Sequence, residues 1–360
     1  MPYNRGMNQI TLALPSALPP APLAPDLIRT LQAPALATLL SRHSHMQVTS
    51  FDSEQRVWPH EAWLAGALGL DAGQGAPFAV AAIHGSGLAA DAAQGRWFIV
   101  QPAHVQLART HMLLTDPRQL RLNEEEARAL FDSARPCFEE VGGTLLYAGA
   151  DLWFARVDSW TALDTASPDA AIDQNLSDWL PQGESARSCR KLQNEIQMQW
   201  HEHPANQARE QRGQRVVNSV WIWGGTNAGG DAGPRPTAPL ATASNPADSA
   251  AWLQALATPS LRSANAAQLI AQAGTQPAAV LLDELIAPAV AGDWADWLAR
   301  MRRIEEEWCA PLLAALKEGR IGGVSVLLNS RNATLRVDST RIAQYKFWRK
   351  LSLNALLDQA

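Results

Sequence analysis

Three cysteines in 360 residues, Cys137, Cys189 and Cys309, are far apart and odd in number, so they imply neither a disulfide framework nor a cysteine zinc motif. Lysine is nearly as scarce. Lys191, Lys317, Lys346 and Lys350 leave 26 arginines among the 30 basic residues. Arginine grips phosphate in a bidentate fork, but so strong a bias is read as genomic base composition. No uninterrupted apolar run is long enough to cross a bilayer, and the first residues lack the basic-then-apolar pattern of a secretory signal. A soluble, cytoplasmic protein is the expectation. A net charge of −5 and a pI near 5.9 argue against nucleic acid or an anionic membrane as the main partner. The sequence also lacks a G-x-S-x-G elbow, a P-loop and a G-x-G-x-x-G turn, so it offers no alternative chemistry of those kinds.

What is present suits a large globular chain. A hydrophobic content of 47% allows a sizeable core, and 14 tryptophans should supply core and pocket walls. The length allows one large α/β domain with an inserted module. Residues 10–14 read as a first strand, followed by a proline-rich stretch from Pro15 to Pro25. Residues 26–40 read as one helix. His43 and His45 alternate as strand neighbours do, but without a third ligand they are read as polar loop residues. Trp58-Pro59-His60-Glu61 leads into a helix. Residues 96–100 alternate as a strand, residues 123–135 form a helix with glutamates at its start, and residues 145–147 and 152–157 form a hairpin. That order suits a small α+β insertion. Residues 159–182 are a connector and 227–249 a surface loop. Two helical stretches, 251–257 and 265–273, lead to a buried strand at 278–282 that ends in Asp283-Glu284. Ligands usually bind at such strand ends in an open α/β sheet. A long helix over 294–316 carries an apolar face through Trp297, Met301, Trp308, Leu312 and Leu316. Residues 324–328 form a strand, and 331–337 a final edge strand. The aromatic and basic patch at 345–350 is either a surface binding site or part of a docking helix.

The stretch from Asn194 to Gly225 organises the rest. It reads as a helix ending near His203-Pro204, a basic loop carrying Arg209, Arg212 and Arg215, and an apolar strand over 220–223 that returns the chain to the main sheet. Its pattern of His203-Pro204, Asn206, Arg209, Arg212-Gly213 and Asn218 resembles the HPxNxxRxxRG…N signature of the archaeal-type, cofactor-independent phosphoglycerate mutases of the alkaline phosphatase superfamily. Further likeness lies in Gln74-Gly75-Ala76-Pro77-Phe78, in the Asp283-Glu284 turn with Gly292-Asp293, and in the long helix with Pro311-Leu312-Leu313. The match runs in order from the first strand to Leu328.

The resemblance implies an α/β fold: an alkaline-phosphatase-like, mainly parallel sheet with helices on both faces, plus a smaller inserted α+β domain. Residues 8–74 and 185–340 would form the core, 75–184 the lid-like insertion and 341–360 a tail. It also implies a metal-dependent phosphoryl-transfer site, and here the sequence departs from the family. Pro15-Ser16-Ala17 stands at the first acidic ligand, Pro59-His60 at the serine nucleophile, Trp223 at an arginine, and Leu328-Asn329-Ser330 at an Asp-His pair. Such transfer needs clustered Asp and His ligands with an activated nucleophile. The expectation is therefore a divergent, bacterial-type member with most catalytic motifs lost, metal-free and without mutase activity, kept for binding or regulation. No cofactor is expected. His203, Asn206, Arg209, Arg212, Asn218 and Trp223 are the candidate ligand-binding residues, for a phosphorylated small molecule or a protein partner. The alternative is an active phosphomutase or phosphatase with a rearranged site, using manganese, magnesium or zinc with Asp283, Glu284, Asp293 and His60.

Overall fold

The structure, a computed structural model, describes residues 8–52, 54–70, 75–89, 94–228, 239–242, 249–262 and 264–357. Its strands are β1 (Gln9–Leu14), β2 (His45–Ser50), β3 (Gly95–Ala103), β4 (Val105–Leu107), β5 (Met112–Leu114), β6 (Thr144–Gly149), β7 (Leu152–Arg156), β8 (Ser219–Ala228), β9 (Leu240–Ala241), β10 (Ala278–Leu281), β11 (Gly323–Asn329) and β12 (Ala333–Thr340). The chain divides into two compact units. One is built from the described parts of 1–54, 236–250 and 257–360, the other from those of 55–235 and 251–256.

The first unit holds a six-stranded sheet in the order β2-β12-β11-β1-β10-β9, flanked by helices. Strands β9, β10, β1 and β11 run parallel, and β12 is antiparallel to both β11 and β2. Every residue of β11, GVSVLLN, is buried, as in a parallel sheet covered on both faces. Ile10, Leu12, Val280, Val324 and Val326 pack with Trp297, Met301, Trp308, Leu312 and Leu316 in one core. This is the mixed α/β class that the sequence implies.

Proline breaks the first long helix expected here, while the second runs on with one wide turn. The first divides into Ala24–Thr30 and Pro34–Ser41, because Pro34 has no N–H to continue the ladder and keeps Ala33 out of the helical region. The second runs Trp294–Ile304, widens into a π turn at Glu305–Cys309 and resumes at Ala310–Glu318, with Pro311 just past the wide turn. The Glu305 carboxylate there accepts the Ala35 and Leu36 N–H groups at 2.5 and 2.9 Å, which caps the start of helix Pro34–Ser41. β12 is not an edge, since β2 covers it. Within the expected loop at 227–249, β8 reaches Ala228 and β9 joins the sheet, while 229–238 and 243–248 lie outside the described residues. In the tail, Phe347 and Trp348 are 80% and 70% exposed, whereas Leu353 and Leu356 join the core.

The second unit carries an antiparallel sheet in the order β6-β7-β3-β8 and a β4–β5 hairpin. β8 pairs with β3, so the strand expected on the main sheet belongs to this one. It also continues past Gly224-Gly225, with Gly224 in the left-handed region at φ 73°. Helices Glu124–Glu140 and Ala186–His201 pack with the sheet around Phe98, Phe138, Trp153, Trp160 and Trp200. The basic loop expected after His203 is a helix, Pro204–Gln211. Pro204 sits where a missing N–H costs nothing, and His203 Nδ1 accepts the Ala205 N–H at 3.2 Å.

Candidate functional site

Three helix starts of one kind come together in the second unit. In each, a residue outside the helical region precedes a proline that opens a short helix: Trp58-Pro59, Asp116-Pro117 and Ser167-Pro168. The fixed φ of proline suits the first helical position and turns the next side chains to one side. Those side chains are His60 and Glu61, Arg118, and Asp169.

Glu61 lies at the third position of helix Pro59–Ala67, and its Oε2 accepts the Trp58 N–H at 2.7 Å. The same oxygen accepts the Ser167 hydroxyl at 2.7 Å. Ser167 in turn caps helix Pro168–Ala171 through the Ala170 N–H at 3.2 Å. Asp169 Oδ1 accepts Arg118 Nη2 at 2.7 Å, and Arg118 Nε donates to Asp116 Oδ1 at 2.8 Å. His60 Nε2 stands 3.6 Å from Asp169 Oδ2, and neither ring nitrogen of His60 has a hydrogen-bond partner although the residue is only 3% exposed. Glu61 Oε1 is likewise buried without one. Ligand atoms of His60, Glu61 and Asp169 lie within 4.8 Å of one another, and no other such group of three occurs among the described residues.

Burial governs the protonation of this cluster. It raises the Glu61 pKa to about 8, with the Asp169 charge adding to the rise. It lowers that of His60 to about 4, against the pull of Asp169 and with a small push from Arg118. At neutral pH the cluster holds a protonated Glu61 beside a neutral imidazole. Sequence reasoning found His60 but not Glu61, Asp116, Arg118, Ser167 or Asp169. The recurring proline at the first position of a helix was the available signal.

The other acidic candidates lie in the first unit. Asp283 Oδ2 accepts the Ala250 N–H at 2.8 Å, and Glu284 pairs with Arg303. Asp293 caps helix Trp294–Ile304 through the Asp296 N–H at 3.0 Å. At the ends of β1 and β11, the Ser16 N–H donates to Asn329 Oδ1 at 3.0 Å and the Ser16 carbonyl accepts Trp297 Nε1 at 2.9 Å. A hydroxyl, an amide and three internally bonded carboxylates do not fit the clustered donor set that a phosphoryl-transfer metal requires.

The candidate ligand residues make internal contacts. Asn206 holds the Trp200 carbonyl and both backbone groups of Val217. Arg209, 1% exposed, binds Glu126 at 2.6 Å and the carbonyls of Leu120 and Arg215. Arg212 reaches the same Glu126. Asn218 pairs with both backbone groups of Val105, and Trp223 Nε1 donates to Gln101 at 2.9 Å. A separate cavity of about 260 Å³ is lined by apolar Trp221, Leu176 and Met112 and by polar Arg190, Gln193 and Asn194.

No family model matches the chain, and no curated protein does. Its structure is similar to that of the PH0037 protein from Pyrococcus horikoshii, with a TM-score of 0.51 and 10% identity over 93% of this chain and 88% of that one. It is also similar to a cofactor-independent phosphoglycerate mutase from Thermoplasma acidophilum DSM 1728, with a TM-score of 0.41 and 14% identity over 93% and 90%. At such identities the likeness is one of fold.

Proposed function

We propose that this chain is a binding or regulatory protein on a phosphoglycerate-mutase-like fold, without metal-dependent mutase activity. The observation that carries the reading is at the strand ends of the first unit, where Ser16 and Asn329 bond to each other. An amide bound to a backbone N–H is neutral and already occupied, so it replaces the charge that in-line phosphoryl transfer needs. The cavity beside Trp221 supports a binding role. Its apolar lining residues suit a small organic body and Arg190 suits an anionic group, as on a phosphorylated small molecule.

The test is turnover of 2- and 3-phosphoglycerate and of a generic phosphate monoester by the full chain in added manganese, magnesium or zinc. The expected result is no turnover above a protein-free control. Multiple turnover that is lost on Asp283→Asn or Glu284→Gln would overturn the proposal.

A second reading, an active phosphatase or phosphomutase with a rearranged site, is favoured by the grouping of His60, Glu61 and Asp169. It predicts turnover that survives Asp283→Asn and disappears in His60→Ala.

A further inference from the structure

We propose that His60, Glu61 and Asp169 form a binding site for one divalent transition-metal ion, with zinc the best fit. This goes beyond the function proposed above and does not depend on it.

The first support is spacing. The 3.6 Å between His60 Nε2 and Asp169 Oδ2 is too long for a hydrogen bond. Two ligands each about 2.0–2.1 Å from a tetrahedral ion lie roughly 3.4 Å apart, so that gap is close to what a shared metal needs. The Glu61 ligand atom falls within the same 4.8 Å limit.

The second support is independent of spacing. Both ring nitrogens of a 3%-exposed histidine are left without a hydrogen bond, as is Glu61 Oε1. A buried polar atom without a partner costs about 1–3 kcal/mol and is rare in native proteins. A cation bound to His60 Nε2 and Glu61 Oε1 removes that cost at both of those atoms, leaving His60 Nδ1 alone without a partner.

The outer contacts have the form that metal sites use. Glu61 has Oε2 held by Ser167 and the Trp58 N–H, leaving Oε1 over. Asp169 has Oδ1 held by Arg118, leaving Oδ2 toward His60. Anchoring the far oxygen orients the near one. One imidazole with two carboxylates is a donor set for zinc, manganese or iron, rather than the all-oxygen set that calcium and magnesium prefer.

The experiment uses the full chain without an affinity tag, stripped with a chelator, dialysed and titrated with zinc by calorimetry and with cobalt(II) by visible absorption. The expected result is one ion per chain and a cobalt spectrum of a four- or five-coordinate site. Zinc should also raise the Tm of the wild-type chain. His60→Ala should abolish the cobalt spectrum and the zinc-dependent rise in Tm. Ser167→Ala keeps all three ligands and should weaken zinc binding about ten- to a hundredfold. His111→Ala, on the exposed β4–β5 hairpin, should bind as wild type.

No saturable binding to the wild-type chain, or binding unchanged in both His60→Ala and Ser167→Ala, would overturn the proposal. If His60→Ala fails to fold, the Ser167→Ala titration decides. Metal binding without turnover supports this site and leaves the proposed function standing. Turnover lost in His60→Ala overturns that function and not this site.

Discussion

The Ser167 hydroxyl donates to Glu61 Oε2 at 2.7 Å across 106 residues of chain, and so joins two proline-opened helix starts at one buried carboxylate. Ser167→Ala removes that bond and the cap on helix Pro168–Ala171 together. An expected loss of about 1–3 kcal/mol of unfolding free energy follows. Urea denaturation of the chelator-treated chain measures it.

The same carboxylate should give the metal-free chain an unusual response to alkali. Folded Glu61 keeps its proton up to about 8, whereas an unfolded glutamate releases it near pH 4.3. The folded state therefore holds a proton that the unfolded state lacks, and stability falls as pH rises across that interval. His60 acts in the opposite sense. Its folded pKa of about 4 lies below the unfolded value near 6.5, so its contribution rises with pH up to about 6.5. The two effects oppose at acid pH, and that of Glu61 remains alone from about 6.5 to 8. The expected decline there is about 2 kcal/mol at one proton, and Glu61→Gln should flatten it. Unfolding midpoints across that range, with chelator present, provide the check.

Arg209 and Arg212 bind one carboxylate, Glu126, from very different surroundings. Arg209 is buried, so Arg209→Ala leaves that acid without its enclosed partner and should cost about 3–5 kcal/mol. The Arg212 side chain is about half exposed, and Arg212→Ala should cost less than about 1 kcal/mol. A ratio near one between the two losses in urea denaturation would contradict this assignment.

The Asn329 side chain holds the N–H of Ser16, whose backbone lies in the left-handed region at φ 58°. Asn329→Ala should destabilise the first unit by about 1–3 kcal/mol. Asn329→Asp keeps an acceptor oxygen there and should recover most of the loss, as a parallel set of thermal melts would record.

Phe347 and Trp348 stack edge to face on each other with ring centroids 5.3 Å apart, and both are largely exposed. Replacing both by serine should change unfolding free energy by less than about 0.5 kcal/mol. The substitution should lower binding of a hydrophobic dye to the folded chain, which fluorescence at matched concentration reads.

Local chemistry was legible in the sequence. Apolar runs gave β1, β10 and β11, the glutamates at its start marked the helix expected over 123–135, which runs Glu124–Glu140, and the α/β class followed from their order. Periodicity alone missed Pro34 as a helix break, although the residue was in plain view, whereas the helix expected over 294–316 is present with a π turn before Pro311. β2 was missed because its only apolar alternation is the pair Met46 and Val48, and none of its six residues is buried.

Partnership is a different matter. The HPxNxxRxxRG pattern is a run of neighbours in sequence, but that Arg209 is buried against Glu126, 83 residues earlier, is a fact of packing. His60 was visible as a residue, while its place beside Asp169 and a protonated Glu61 required segments over a hundred residues apart to meet. Periodicity, caps and proline act within a few residues, so the sequence by itself determined the elements and the neutral side chains at Ser16 and Asn329. Pairing of strands, burial of ions and convergence of ligand atoms depend on distances between remote segments, and those only the tertiary structure decided.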